Sequence, residues 1–180
     1  MSTPSETSGM PQVDGYELLE EIGQGGFSNV FRATQVSMDR VVAIKVFRTA
    51  GKVKDIDRRF KRERKIVNEL GDIDGVVTAF DGGFTRTGSP FLAMEYCQGR
   101  SIADRIKTVG PLSVNEVLAV GERVGFALDV AHRKGVTHRD VKPSNILLMA
   151  DGRSQLADFG LAVIAEMTEA LGEESRLAMT

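Results

Sequence analysis

The sequence is poor in cysteine, with Cys97 as the single cysteine among 180 residues. A lone cysteine excludes an intramolecular disulfide framework and is typical of chains that fold in a reducing compartment. We therefore interpret Cys97 as an ordinary small residue. A hydrophobic content of 42% with 27% charged residues is typical of a globular protein large enough for one ordinary domain or two small lobes.

Long apolar runs are also absent, and none approaches the roughly 20 residues that a membrane-spanning helix needs. Residues 1–12, MSTPSETSGMPQ, lack both the basic start and the apolar run of a signal peptide. We expect a cytoplasmic protein with no membrane segment in this part of the chain. The Ser/Thr/Pro-rich start buries too little apolar surface to offset its ordering entropy, which predicts a disordered tail over residues 1–12.

The chain has little net charge, formally -2 from 23 Lys and Arg against 25 Asp and Glu. This balance gives no general reason to expect nucleic acid or an anionic membrane surface as a partner. The basic side chains between residues 58 and 65 are interleaved with Asp55, Asp57 and Glu63 and have no aromatic partner for bases beyond the inward-facing Phe60. We interpret them as a solvated helix face and expect no nucleic-acid partner.

Polar residues that can bind metal ions or take part in catalysis are concentrated in residues 138–145, HRDVKPSN, and 158–160, DFG. The residues between them predict two short strands joined by a tight turn at Asp151 and Gly152. That hairpin would bring Asp140, Asn145 and Asp158 around one small volume. Two carboxylates, an amide oxygen and the ammonium group of Lys142 can hold divalent cations and orient a hydroxyl group against a phosphate.

A glycine cluster occupies residues 22–30, IGQGGFSNV. Spaced glycines let the backbone approach phosphate oxygens and point N–H groups at them. A dinucleotide-binding turn also uses spaced glycines, but it must open a helix, whereas Val30 and Phe31 continue as a strand. The pattern therefore favours a hairpin that covers phosphates, and for the motif alone a plain hairpin turn stays open as an alternative.

Lys45 and Glu63 are expected to form a buried ion pair. Strand alternation places Lys45 on one face with Val41 and Ala43. Residues 56–70 predict a helix whose apolar stripe has Glu63 at its centre. A charge in such a place is costly unless it meets an opposite charge. The alternative, in which Glu63 lies on the surface of a helix with a different buried face, stays open.

The remaining pattern predicts five strands, over residues 16–22, 30–34, 41–47, 76–84 and 91–96. Ser101 followed by Asp104, and Ser113 followed by Glu116, are helix-start signatures, and Gly110 and Gly135 are the expected stops. The longer helix carries an apolar face that needs a partner surface. The members of that face are Val114, Val117, Leu118, Val124, Leu128 and Ala131.

Together these segments resemble the eukaryotic-type serine/threonine protein kinases, in a bacterial-like form, over residues 13–160. The resemblance implies an α+β, protein-kinase-like fold. Its small lobe, residues 13–95, would have a five-stranded antiparallel sheet and one helix. Its large lobe, residues 96–180, would be mainly helical, incomplete, and truncated within the activation segment.

The same resemblance implies roles for individual residues. Asp140 would accept the proton of the substrate hydroxyl, and Lys142 in the form HRDxKPxN points to serine and threonine substrates. Asn145 and Asp158 would hold Mg²⁺. Met94 would be the gatekeeper, with the backbone groups of Glu95 and Cys97 pairing with adenine. The residues implied to bind ATP are Ile22, Gly23, Gln24, Gly25, Gly26, Phe27, Ser28, Asn29, Val30, Ala43, Lys45, Glu63, Met94, Glu95, Cys97 and Leu147.

The resulting prediction is an ATP- and Mg²⁺-dependent kinase that acts on protein substrates. In the family, an arginine directly before the loop aspartate, here Arg139 before Asp140, accompanies control by phosphorylation of the activation loop. Thr168, Ser175 and Thr180 are therefore candidate phosphorylation sites. One alternative is a nucleotide-binding scaffold or pseudokinase. Another is a catalytically incompetent kinase fragment, because the family's APE motif and later helices do not follow Gly160. An uncovered apolar helix face would make such a fragment poorly soluble in isolation.

Overall fold

The computed structural model describes residues 9–26, 28–48, 70 and 73–159. Its main element is a five-stranded antiparallel sheet with the strand order β1-β2-β3-β5-β4. The strands are β1 (Tyr16–Gln24), β2 (Ser28–Gln35), β3 (Arg40–Phe47), β4 (Ala79–Phe84) and β5 (Pro90–Glu95). The predicted five-stranded antiparallel sheet is therefore confirmed, with strand ends that differ by a few residues.

Alternation along the strands gives the sheet two apolar faces, because successive side chains point to opposite sides. We define the outer face by Phe31, Ala33 and Ile44, which pack in one buried cluster. We define the inner face by Val30, Ala43 and Met94, which pack in a second cluster. Burial on both sides explains why the strands are rich in β-branched and aromatic residues.

The segment before β1 packs on the outer face of the sheet. Met10 contacts the outer-face cluster. Arg86 donates from its backbone N to Gln12 O at 3.0 Å, and its guanidinium group donates to Gln12 Oε1 at 3.0 Å and Asp14 Oδ1 at 2.8 Å. The prediction of a disordered tail therefore does not hold for residues 9–12, and residues 1–8 lie outside the described part of the chain.

Two helices follow β5, and both begin where the sequence predicts. Helix α1 (Ile102–Val109) starts after Ser101, whose Oγ accepts from the Asp104 N at 3.1 Å. Helix α2 (Val114–Arg133) starts after Ser113, which forms a reciprocal capping box with Glu116. Such caps satisfy backbone N–H groups that have no partner within the helix. The predicted stops are also correct, because Gly110 caps α1 and Gly135 follows α2 with φ 77°.

The apolar face predicted for α2 is only partly buried. Val124 and Ala131 pack with Ala127 in a buried cluster. In contrast, Val114 is 75% exposed and Leu118 is 65% exposed. The sequence predicted one broad apolar face in contact with a partner surface. In the structure, the helix buries the part centred on Ala127, and the apolar side chains of its first two turns are exposed to solvent. Hydrophobic spacing alone does not specify where along a helix the partner surface ends.

A short hairpin completes the described fold. A 3₁₀ turn (Pro143–Asn145) leads into β6 (Ile146–Leu148), which pairs with β7 (Ser154–Leu156). Its turn contains Gly152 at φ 82°, a conformation that glycine adopts at low cost. The hairpin is attached to the segment before β4, since Leu156 N donates to Gly75 O at 2.7 Å and Val77 N donates to Leu156 O at 3.0 Å.

The predicted helix over residues 56–70, with Glu63, lies outside the described residues except for Leu70, which is helical and buried. Within the described ranges, no helix is both long and apolar enough to cross a bilayer.

Gly99 permits a close backbone contact that a side chain would prevent. A Cβ at this position would overlap the carbonyl group of Leu148. We expect Gly99→Ala to lower the free energy of unfolding by about 1–3 kcal/mol or more, because the backbone must shift to relieve the overlap. The measurement is urea unfolding followed by circular dichroism.

Gly121→Ala is the matched control. Apart from the backbone of its own helix, no atom of the described residues lies within 4 Å of a Cβ built at Gly121, which lies in the interior of α2. Alanine is the better helix former by about 1 kcal/mol, so this variant should be as stable as the parent or slightly more stable. Equal unfolding midpoints for the two variants would contradict the role assigned to Gly99.

Candidate active site

The segment between α2 and β6 brings three of the predicted residues into direct contact. Asn145 is buried, and its Nδ2 donates to Asp140 O at 2.8 Å and to Asp140 Oδ2 at 3.0 Å. The Lys142 ammonium lies 2.7 Å from the same Asp140 Oδ2. The Asp140 carboxylate is thus fixed from two sides while its side chain remains 47% exposed. It is held in place and is still accessible from solution.

Hydrogen bonding from Lys142, and after it from Asn145, lowers the pKa of Asp140 below the ordinary aspartate value. The carboxylate is therefore ionised at neutral pH. A weakly basic carboxylate is better suited to orient a hydroxyl group than to remove its proton early in a reaction.

His138 connects this loop to the residue that precedes Asp158. The ring is 1% exposed, and its Nδ1 accepts from the Asp140 N at 3.2 Å. Its Nε2 therefore carries the ring proton and donates to Ala157 O at 2.8 Å. The ring also packs edge-on against Phe159, with centroids 4.6 Å apart. Nothing in the sequence pattern had assigned this bridging role to His138.

The two ends of the site are joined through the backbone of Ala157. Ala157 N donates to Asn145 O at 2.8 Å, while Ala157 O accepts from His138. Asp158 follows directly, so its position relative to Asp140 is set by these two hydrogen bonds. The sequence predicted that a hairpin would bring Asp140, Asn145 and Asp158 together, and these hydrogen bonds are the connection between their segments.

Asp158 pairs with Lys45 across the two parts of the fold. Lys45 Nζ lies 2.7 Å from Asp158 Oδ2, and the two side chains are only 12% and 26% exposed. A partly buried ammonium group needs such a partner. The sequence assigned Glu63 as the partner of Lys45; Glu63 lies outside the described residues, and the pair with Asp158 was not predicted.

Two residues of the site have backbone conformations that are uncommon for residues other than glycine. Arg139 has φ 68° and Asp158 has φ 67°. Each such residue costs of order 1 kcal/mol or more and persists when its surroundings fix it. Here the fixed neighbours are Asp140 and Ala157, which His138 holds on both sides. Strained backbone at this place is typical of a functional site.

An apolar cluster on the inner face of the sheet collects the residues predicted to surround a base. Val30, Ala43, Met94, Cys97 and Leu147 all pack in it, although they come from four separate stretches of sequence. The backbone between β5 and α1 runs along this cluster. The Glu95 amide donates to Thr78 O at 2.8 Å and is therefore engaged within the protein. Pairing of adenine with the backbone groups of Glu95 and Cys97 stays a prediction.

The glycine turn forms the expected hairpin. Gly23 pairs with Val30 and Gln24 with Asn29, and the turn is closed by a hydrogen bond of 2.8 Å from Gly25 N to Ser28 O. Gln24, Gly25 and Gly26 are exposed, Ile22 is 43% exposed and Ser28 is buried. Phe27 lies outside the described residues.

Asn29 was predicted to contact nucleotide, but its side chain is engaged elsewhere. Its amide oxygen accepts from Arg48 Nε at 3.0 Å and Nη2 at 2.7 Å, and its amide nitrogen donates to Glu21 Oε1 at 3.1 Å. Alternation places Asn29 on the same side as Phe31, the outer face, away from Val30 and Ala43. Only the backbone of Asn29 is left to face a phosphate.

The donor set of the site fits a hard divalent cation such as Mg²⁺ completed by substrate oxygens. Asp158 supplies a carboxylate and Asn145 an amide oxygen, and Mg²⁺ typically binds one or two such ligands together with phosphate oxygens. Among the described residues, no group of three or more His, Cys, Asp or Glu side chains forms a complete metal cage. A cation here would therefore depend on a phosphate ligand.

Comparison with known proteins agrees with this geometry. Residues 16–177 match the model of the protein kinase domain. The chain belongs to the protein kinase family. Serine/threonine-protein kinase PknK of Mycobacterium tuberculosis is 44% identical over 155 residues, which is 84% of this chain and 14% of PknK. PrkC of Bacillus subtilis is 35% identical over 154 residues, which is 85% of this chain and 24% of PrkC.

Solved kinase structures have the same architecture. The kinase domain of Mycobacterium tuberculosis PknI superimposes with a TM-score of 0.71 at 31% identity, covering 82% of this chain and 60% of the PknI chain. The predicted α+β kinase fold, with a five-stranded small lobe and an incomplete large lobe, is confirmed. The chain thus spans only part of these kinases and a small part of the longer relatives.

Cys97 is a buried thiol within this kinase fold, and its Sγ donates to Gln155 Oε1 at 3.7 Å. Burial, and after it the charge of Glu95, raises the pKa of the Cys97 thiol to about 12. Relative to an ordinary thiol, the reactive thiolate at pH 8 should be scarcer by on the order of 10³. We expect iodoacetamide to modify the folded chain very slowly, as measured by mass spectrometry.

The urea-unfolded chain is the reference for this experiment, because its thiol titrates near the ordinary value. Equal labelling rates in the folded and unfolded chains would contradict the buried position of Cys97.

Proposed function

We propose that this chain carries the catalytic part of a serine/threonine protein kinase that transfers the γ-phosphoryl group of ATP to protein hydroxyl groups. The observation that carries this proposal is the fixed set of Asp140, Asn145 and Lys142, tied through His138 and Ala157 to Asp158. The kinase family to which the chain belongs supports ATP as the phosphoryl donor and Mg²⁺ as the cation.

In this proposal the inner-face cluster holds the adenine ring, with Ala43 and Leu147 on either side of it. The glycine turn covers the phosphates with backbone N–H groups, which favour anions. Lys45 contributes a positive charge near the phosphates. Because its Nζ lies 2.7 Å from Asp158 Oδ2, nucleotide binding must either separate these two groups or add phosphate and Mg²⁺ to the same ion-pair network. Asp158 and Asn145 would hold Mg²⁺, which neutralises charge on the phosphate oxygens when bound.

Transfer then requires that the substrate hydroxyl be aligned with the γ-phosphorus. The free oxygen of the Asp140 carboxylate accepts the hydrogen bond of that hydroxyl, while Lys142 and Asn145 fix the carboxylate. The hydroxyl oxygen forms the new P–O bond, the bond to the bridging oxygen of ADP breaks, and Asp140 receives the proton. Lys142 also offers positive charge to the transferred group.

The proposal includes a cytoplasmic site of action, which is supported by the buried thiol of Cys97 that forms no disulfide. Activation by phosphorylation of Thr168, Ser175 or Thr180 belongs to it as well. These residues lie outside the described part of the chain.

Asp140→Asn tests the catalytic assignment. The amide keeps the size of the side chain but cannot accept a proton, so phosphoryl transfer should fall by about 10²- to 10⁴-fold. ATP binding should persist, because Asp140 does not belong to the apolar cluster or the glycine turn. Transfer is measured with radiolabelled ATP and a generic protein substrate, and binding is measured as a shift in melting temperature.

Asp151→Asn is the matched control, since Asp151 is an exposed aspartate in the β6–β7 turn that pairs only with Arg153 among its described neighbours. It should retain both transfer and binding. Undiminished transfer by Asp140→Asn would refute the catalytic role. A melting shift without transfer by the parent chain would favour the nucleotide-binding scaffold or the incomplete kinase.

A further inference from the structure

Three polar side chains on the outer face link the ends of β1, β2 and β3. Asn29 donates to Glu21 at 3.1 Å and accepts two hydrogen bonds from the guanidinium group of Arg48, at 3.0 and 2.7 Å. The amide orientation is consistent, because its oxygen faces the cation and its nitrogen faces the carboxylate. We refer to Glu21, Asn29 and Arg48 as the loop clamp.

The loop clamp lies at the stem of the glycine turn. Asn29 forms the β1–β2 pair nearest the turn, opposite Gln24, and it also pairs with Val46 of β3. Beyond it, the described turn residues have few contacts. Within the described part of the chain, a Cβ built at Gly26 would meet no atom within 4 Å, and one at Gly25 would meet only Ser28. Among these residues, side-chain restraint on the turn comes through its stem.

The clamp is separated from the site by the sheet itself. Lys45 and Ala43 lie on the inner face, whereas Asn29 shares the outer face with Phe31. The clamp can act on a nucleotide only through the backbone of β1 and β2. Its side chains therefore act as positioning groups, distinct from the groups that would contact ATP.

We propose that the loop clamp preorders the glycine turn, so that the turn's N–H groups are already arranged for phosphate before nucleotide binds. Prior ordering removes part of the entropy that binding would otherwise cost. This inference deepens the proposed kinase function and rests on it for the identity of the ligand. The ordering itself is a property of the protein without nucleotide.

Arg48→Lys is the decisive variant, because lysine keeps the charge but loses the planar fork that makes two bonds to one oxygen. In the full chain without nucleotide, hydrogen exchange of the backbone amides of residues 23–30 should become faster. The dissociation constant for ATP with Mg²⁺, and the KM for ATP, should rise about three- to tenfold, as expected for exposed hydrogen bonds of modest strength. The kcat should change by less than about twofold, because no reacting group moves.

Arg86→Lys is the matched control. Arg86 also makes two guanidinium bonds on the outer side of the sheet, to Gln12 and Asp14, but it lies away from the glycine turn. It should leave exchange at residues 23–30 and the affinity for ATP unchanged. A second pair, Glu21→Ala and Glu21→Gln, tests rescue, since glutamine retains an acceptor for the Asn29 amide and should behave more like the parent chain.

Unchanged exchange at residues 23–30 in both Arg48→Lys and Asn29→Ala would overturn the inference. So would faster exchange spread evenly over β1–β5 with a lower melting temperature, since this would indicate a merely structural role. If the parent chain binds no ATP, the proposed function fails, and the exchange measurement still decides whether the clamp orders the turn.

Discussion

The geometry of the site depends on how the backbone of Ala157 is held. Its N–H donates to the Asn145 carbonyl and its carbonyl accepts from His138, so both of its backbone polar groups are bound to the segment of residues 138–145. A buried residue with both backbone groups satisfied is costly to move, because any shift leaves unpaired polar atoms in the interior. Asp158 is therefore placed by the backbone that precedes it, and its unusual φ follows from that restraint.

Lys45 connects Asp158, and the residues that hold it, to the five-stranded sheet. Its ammonium group extends from the inner face of β3 to Asp158, so this ion pair links the sheet to the segment that follows β7. A charge pair of this kind responds to any ligand that brings its own charges into the same space. Phosphates would compete for Lys45 and a cation would compete for Asp158. The Lys45–Asp158 pair thus involves the same two groups that the proposed function assigns to phosphate and Mg²⁺.

Much of the fold could be predicted from local sequence. The helix starts at Ser101 and Ser113 depend on residues three positions away, and the turn at Gly152 depends on its own conformation. Contacts that depend on distant segments could not be predicted. Arg86 reaches Gln12 across 74 positions, which orders residues that have a tail-like composition.

The same distinction applies to the site. The motif spacing predicted that Asp140 and Asn145 would meet, and both lie within one short loop. The bridging role of His138 and the pairing of Lys45 with Asp158 require the tertiary fold, because their partners come from separate elements. The exposed start of α2 could not be predicted either, since hydrophobic spacing identifies a stripe but not the surface that covers it.

The missing side chain at Gly99 determines where the two parts of the chain can bend. Its backbone lies against Leu148, and the next residues are tied to β6 by the Leu148 N to Arg100 O hydrogen bond of 3.0 Å and the bridge between Ser101 and Leu147. The strand before it, β5, is fixed in the sheet as far as Glu95. Residues 96–98 are therefore the stretch between these two attachments, and a change in the angle between the two parts would have to be absorbed there.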